Sequence, residues 1–319
     1  DIELSVEQHK NFNRWRIVPA AMLTHASLGS IFAWSIFNQP LMNINGVIEQ
    51  TATDWSLAQV MPVFSTTMSC FGLASFLCGR AGINEKFGPR ITTLIGSGGF
   101  ASAFALSAFA TSTQNLPLLY AAYGMIAGTS VGTAYVGPIA TLMRWFPDKK
   151  GLASALAVAG FGSGAVFASQ LIERLLAHFH KFPTFLGPAD SFHTTRKNGQ
   201  LYATINNKEE LVVNATEATI KRLGKAGEHL EQGLYLVGSG DIGVTKTFLV
   251  LGAIYSCIIA ASAFVFRLPH DRYDPTEPEN IRPLTPKTTS TTTTTTTTSK
   301  DVTTASPKDK KITTKVYDY

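Results

Sequence analysis

Six stretches of this chain are long enough to cross a membrane, and their middles are almost free of charge. They run roughly over residues 17–38, 55–79, 91–111, 117–143, 151–173 and 247–266. A helix needs about 20 mainly apolar residues to cross the hydrocarbon of a bilayer. His25 is the one ionisable side chain clearly inside any of them. The expected fold class is an all-α integral membrane protein with six transmembrane helices.

The hydrophobic fraction of 45% looks ordinary because it averages two unlike parts. Residues 175–246 and 270–319 are polar and dilute the apolar spans. The net charge of +5 does not point to nucleic acid, since no basic stripe carries interleaved aromatics. Cys70, Cys78 and Cys257 fall within spans and read as small packing residues. No Ser/His/Asp set, metal-ligand spacing or phosphate-binding glycine loop is present, so neither an enzyme nor a cofactor or metal is expected. His178 and His180 lack Cys or acidic neighbours at ligand spacing. Lys10, Arg14 and Arg16 precede the first span as they would a signal peptide. Its apolar run is longer than a signal core, however, and it has no evident cleavage site, so it reads as a retained helix.

Loop charges alternate. Basic residues precede the first span and fill loops 80–90 and 144–150, whereas loop 43–54 has only Glu49 and Asp54, and loop 112–116 has no charge. Short basic loops stay cytoplasmic, so the N-terminus and the tail are expected inside. The long segment 175–246 is then extracellular or lumenal, in agreement with its N-x-S/T glycosylation acceptor at Asn214. Lys208–Leu223 has a helical pattern, which suggests a small folded cap. The Thr/Pro-rich segment 269–319 is expected to be disordered, as a cytoplasmic tail or an inter-half linker. The organisation is thus 1–174 (five helices with short loops), 175–246 (the insert), 247–268 (the sixth helix) and 269–319 (the tail).

The richest local pattern joins the fourth and fifth spans. It reads Tyr135-Val-Gly-Pro138, then Arg144-Trp145-Phe146-Pro147-Asp148-Lys149-Lys150-Gly151-Leu152-Ala153, then Ala159-Gly160-Phe161-Gly162-Ser163-Gly164. Arg144 and Trp145 suit a helix end at a membrane interface, and Pro147 and Asp148 suit a helix start. Gly160 and Gly164, and likewise Gly124, Gly128 and Gly132, form small-residue stripes for close helix approach. A second pattern is Gly29-Ser-Ile-Phe32-Ala-Trp34-Ser35-Ile-Phe37, followed by Pro40-Leu41. A third is Glu85-Lys86-Phe87-Gly88-Pro89-Arg90.

Together these resemble the oxalate/formate antiporter-like branch of the major facilitator superfamily, over about 1–175 and 235–268. The monocarboxylate transporters are the close rival. Their first-span signature, an acidic residue before Gly-x-x-x-Trp with a cation nearby, is missing. The third pattern looks like the superfamily's cytoplasmic signature loop, with Glu85 where Asp is usual and Ala81 in place of its first glycine. Glu85, Lys86, Gly88 and Arg90, with Arg144, Asp148 and Lys149, are the residues that the resemblance assigns to the cytoplasmic loops.

The resemblance implies substrate binding at the midplane, in a cavity lined by helices 1 and 4 of the first half. The candidates are Phe32, Trp34 and Tyr135, with Trp55 and Gln59 four apart on one face of the second span. Aromatic walls hold a small planar carboxylate, and Gln or Tyr donates hydrogen bonds to it. His25 reads either as a proton-coupling group or as a neutral His bonded within the bundle. The expected function is transport of small organic anions, oxalate/formate or related mono- or dicarboxylates, by alternating access, as exchange or symport. The alternative is a non-transporting membrane protein acting as scaffold, sensor or regulator. The superfamily has two six-helix halves, and Lys310–Tyr319 looks like a linker before a seventh helix. A fragment or truncated product is therefore expected. Its partners would be the lipid bilayer, a small carboxylate and a C-terminal six-helix half, which in the resemblance holds the substrate-pairing cations.

Overall fold

The structure is a computed structural model that describes residues 12–197, 200–205, 208–223, 230–269, 273 and 275. Five helical stretches are long and apolar enough to cross a bilayer: Arg14–Leu41, Leu57–Arg80, Ile83–Ser112, Pro147–Phe179 and Val244–Val265. They are spans 1, 2, 3, 5 and 6. Span 4 is helical without a break, but its winding changes. An α-turn at Leu116–Leu119 passes into a π-helix at Tyr120–Ala127 and then into an α-helix at Gly128–Trp145. The π-winding divides the run, so no regular part of it is both long and apolar enough, although the chain still passes from one end of the bundle to the other.

Local sequence explains the starts and bends. Span 2 begins with a capping box, in which the Ser56 N–H donates to Gln59 Oε1 at 2.9 Å. Trp55 therefore precedes the helix, and the expected shared helical face of Trp55 and Gln59 does not exist. Span 3 starts from Gly82 in the left-handed region, at φ 60°. It kinks at Gly88, where φ is 78° and ψ 162°, because Pro89 disfavours helical backbone in the residue before it.

The glycine stripes lie where helices cross. A Cβ on Gly128 would overlap the Thr67 carbonyl of span 2, and one on Gly164 would overlap the Ala26 carbonyl of span 1. Span 1 thus pairs with span 5, and span 2 with span 4. Span 3 packs against spans 4 and 6, and Ser97 Oγ donates to the Ser256 carbonyl of span 6 at 2.9 Å.

The insert is not helical over Lys208–Leu223 as its pattern suggests. Lys208–Ala215 is a strand, and only Glu217–Leu223 is helix. The register explains the misreading: Val212, Val213 and Ala215 are buried on both sheet faces, which blurs the two-residue alternation of a strand. Five strands, β1 Phe185–Gly187, β2 Thr194–Lys197, β3 Gln200–Ile205, β4 Lys208–Ala215 and β5 Gly233–Leu236, form an antiparallel sheet in the order β1-β5-β4-β3-β2. The membrane part is all-α, and the insert adds this sheet to it.

The sheet is anchored to the span 1–2 loop. Ile48 is buried with Val213, Ala215 and Tyr235, and the Gly238 N–H donates to the Asn45 carbonyl at 3.2 Å. Asp54 organises that loop by accepting from the backbone N–H groups of Asn45 (2.6 Å), Gly46 (3.3 Å) and Thr51 (2.7 Å). Gln114, between spans 3 and 4, donates its amide to Asn45 Oδ1. These loops and the insert share one end of the bundle. Most of segment 269–319, including the Thr run, lies outside the described residues, as do Lys10 and 310–319.

Candidate functional site

Aromatic rings from four spans, the exposed Phe32 and four half-buried ones, meet on one face of the bundle. Phe161 of span 5 is at their centre, with ring centroids 5.1 Å from Phe32 of span 1, 5.8 Å from Phe71 of span 2 and 5.0 Å from Tyr135 of span 4. Phe64 of span 2 joins through Phe32 at 6.2 Å, and Phe71 meets Tyr135 edge to face at 5.4 Å. The Tyr135 hydroxyl has no hydrogen-bond partner among the described residues. Such a face offers flat apolar walls and a phenol donor, which suits a small planar ligand.

His25 closes the deep side of this face. It is buried, edge-on to Tyr135 at 5.1 Å, and packs against Gly160. Nδ1 lies 2.8 Å from the Ala21 carbonyl, so this nitrogen carries the proton, whereas Nε2 has no partner. No acidic side chain contacts it among the described residues.

Trp34 lies on the other side of span 1, in the core. It is 2% exposed, with its ring 4.4 Å from Tyr123 and 5.9 Å from Phe37. This contact joins two irregular windings, because Ser30–Trp34 is 3-10 helix and Tyr123 lies in the π-helix of span 4. Mid-helix changes of winding concentrate at functional positions. Here Thr67 Oγ1 sits 3.2 Å from the Tyr123 carbonyl and can serve the acceptor that the π-turn leaves. Between spans 1 and 2 opens a cleft of about 140 Å³ lined by Phe32, Trp34, Ser35, Asn38, Met61 and Phe64.

Trp55 and Gln59 belong to the loop–helix junction. Trp55 is buried and its carbonyl accepts from Gln50 Nε2 at 3.0 Å. Gln59 Oε1 serves the helix cap, and its carbonyl accepts the Tyr120 hydroxyl at 2.7 Å. Neither contacts the aromatic face. Asn214, half-buried on β4, lines a separate cleft of about 360 Å³ with Arg196 and the 49–52 loop.

At the opposite end the short basic loops are stitched together. Arg14 pairs with Asp148 at 2.8 Å and stacks over Phe146 at 4.7 Å. Trp145 ends its helix and is fully buried there, and its indole N–H donates to the Arg267 carbonyl at 2.8 Å. Arg90 stacks over Phe264 at 5.0 Å. Glu85, Lys86, Arg144 and Lys149 are exposed, and Gly88 is the kink already described.

The sequence reading missed Phe161, Phe71 and Phe64. Phe161 stands between Gly160 and Gly162, where the glycine pattern drew attention away from the one large ring. The unpartnered Asn38 had no sequence signal, since nothing in its neighbours shows which side of span 1 is open.

A bundle whose spans cross a bilayer and pair through glycine contacts is that of an integral membrane protein. Residues 20–188, more than half of the chain, match the Major Facilitator Superfamily, and the chain belongs to that superfamily. Three relatives place it further. The oxalate:formate antiporter of Oxalobacter formigenes is 34% identical over 165 residues, covering 51% of this chain and 36% of that protein. Apicoplast pyruvate carrier 1 of Toxoplasma gondii is 21% identical over 296 residues, covering 84% and 48%. Monocarboxylate transporter 13 of Bos taurus is 29% identical over 161 residues, covering 50% and 37%. These support the oxalate/formate-like, monocarboxylate-transporter-related branch. The chain spans about a third to a half of the length of these relatives.

Proposed function

We propose that the chain supplies the first six-helix half of a carrier of small organic anions, oxalate/formate or related mono- and dicarboxylates. The carrier works by alternating access, as exchange or symport, with a second six-helix half in the same polypeptide or in a partner. The observation that carries this reading is the aromatic face of Phe32, Phe71, Tyr135 and Phe161, drawn from four spans. The basic end faces the cytoplasm and the insert faces outward, where Asn214 is available for glycosylation. The relatives named as antiporter, pyruvate carrier and monocarboxylate transporter support the substrate class.

Protein purified from its own membranes and reconstituted in liposomes preloaded with unlabelled formate, oxalate or pyruvate tests this. Saturable uptake of the labelled anion is expected. Tyr135→Phe should weaken apparent affinity about tenfold, the effect of losing one hydrogen bond to a charged ligand. Phe161→Ala should weaken it further. Absence of uptake for all three anions would end the reading. Uptake untouched by both variants would move the site elsewhere.

A further inference from the structure

Among the described residues, Val47 and Gln114 alone adopt a positive φ without being glycine, at 58° and 51°. Gln114 is an ordinary helix stop, since the Asn115 N–H that follows it donates back to the Ala110 carbonyl at 2.8 Å and ends span 3. Val47 follows no helix that needs such a stop. It is β-branched, and a β-branched side chain in the left-handed region is strained. The Ile48 N–H reaches the Gly46 carbonyl at 2.6 Å and closes a three-residue turn around Val47; such turns with positive φ are rare and strained. The turn is also tight, because a Cβ on Gly46 would overlap the Glu49 carbonyl.

Strain of this kind persists only where the surroundings over-determine the backbone. From within the loop, Asp54 holds the N–H groups of Asn45, Gly46 and Thr51. From the insert, three contacts converge. The Gly238 N–H donates to the Asn45 carbonyl at 3.2 Å. Val47 packs at Gly240, where a Cβ would come within 3.0 Å of Val47 Cγ2. Ile48 enters the small core of Val213, Ala215 and Tyr235. Beside these contacts the sheet and the 49–52 loop part around the cleft of about 360 Å³, so the grip of the insert falls on residues 45–48.

We infer that the insert is a strap: it holds the loop between spans 1 and 2 in a strained turn at Val47, and the turn is poised to relax when the strap lifts. Lifting it frees the end of the helical stretch Arg14–Leu41, which brings Phe32 to the aromatic face. The inference stands on contacts within this half and is independent of which molecule, if any, the chain carries.

Two measurements on the purified protein in lipid nanodiscs decide it. Thermal melts read the strain. Gly is ordinarily less stable than Ala, but in left-handed backbone the order reverses. Val47→Gly should therefore melt above Val47→Ala. Hydrogen exchange reads the strap, through the protection of the Val47 amide, which donates to the Asn43 carbonyl at 2.9 Å. Ile48→Ser acts from the loop side and should lower that protection about tenfold, the scale of one such strain. Gly240→Val acts from the insert side by pushing Lys181 and Pro183 away, and should do the same. Adding Val47→Asn to Ile48→Ser should restore protection, since Asn tolerates left-handed backbone and the turn then forms without the strap. Val47→Ala melting at or above Val47→Gly would show that the turn holds no strain. Protection that ignores Ile48→Ser would show that the insert does not hold it, and a failure of Val47→Asn to restore protection would show that strain is not what the strap opposes. Each of the three overturns the inference.

Discussion

Two adjacent residues of one motif, Arg144 and Trp145, have opposite environments, and their stability effects should differ accordingly. Arg144 is exposed, whereas Trp145 is fully buried against Phe12 and Tyr273, at 5.0 and 5.1 Å between ring centroids. Trp145→Ala should cost about 3–5 kcal/mol, as expected for emptying a large core site. Trp145→Phe, which keeps most of the ring but loses the bond to Arg267, should cost about 1 kcal/mol plus some packing. Arg14→Ala removes only a part-exposed ion pair with Asp148 and should stay within about 1 kcal/mol. Thermal melts in detergent give the order, and an Arg14→Ala loss equal to that of Trp145→Ala would show that the pair is far better shielded than its geometry indicates. His25 is the other residue whose role turns on its surroundings. Its Nδ1–H already serves Ala21, and its neighbours are rings without charge. His25→Gln should therefore leave the pH dependence of anion uptake unchanged. A flattened pH profile would instead make His25 a proton-coupling group.

Helix pairing is the level at which sequence and structure agree most closely, because a close crossing demands small residues and the glycine stripes supply them. The stripes Gly124–Gly128–Gly132 and Gly160–Gly164 read as contact faces, and each lies against another helix. Gly164→Ala and Gly128→Ala should each cost about 1–3 kcal/mol, since the added methyl meets a backbone carbonyl that cannot rotate away. Gly162→Ala and Gly72→Ala, which meet nothing, should be neutral or slightly stabilising. Chemical stability of the four variants in mixed micelles tests this, and equal losses at Gly164 and Gly162 would contradict the crossing. The spans were legible for a related reason: apolar length is a direct requirement of the bilayer. The π-winding of span 4 was not legible, because Tyr120–Ala127 is as apolar as any α-helix and a change of winding leaves no mark in the apolar pattern. The sheet was hidden because β4 and β5 bury consecutive residues, which blurs their alternation. Phe32 and Tyr135, expected from the family pattern, lie together on the aromatic face. Trp55 and Gln59 failed as a pair because Ser56 caps a helix that begins at Leu57, which leaves Trp55 outside it.

The insert leaves and rejoins the bundle at a single point, so its attachment can be tested as one unit. Lys181 and Asp241 exchange backbone hydrogen bonds at 2.8 and 2.9 Å, and Lys246 Nζ reaches the Asp241 carboxylate at 2.8 Å. Burial alone would raise the Asp241 carboxyl. The bonds from Lys246 and the Gly243 N–H, with the charges of Lys246 and Lys181, outweigh it and hold the group below the usual carboxylate range. His180, beside them, is pushed down by burial more than the Asp241 charge raises it. The two groups act at different pH. A His held below its ordinary value refuses a proton that the unfolded chain accepts, so the junction loses stability as pH falls below about 6.5. A depressed carboxyl stabilises fully above its unfolded value of about 3.9, and that contribution is lost as pH falls further, through the folded value. Hydrogen exchange of the Lys181 and Asp241 amides should therefore show two steps of deprotection on acidification, the first below about 6.5 and the second below about 3.9. His180→Gln should remove the first step and leave the second. Asp241→Asn should lower protection already at neutral pH and abolish the second step. If His180→Gln kept the first step, the acid sensitivity would belong to another group, and the insert would be held by its contact with the Ile48 loop more than by this junction.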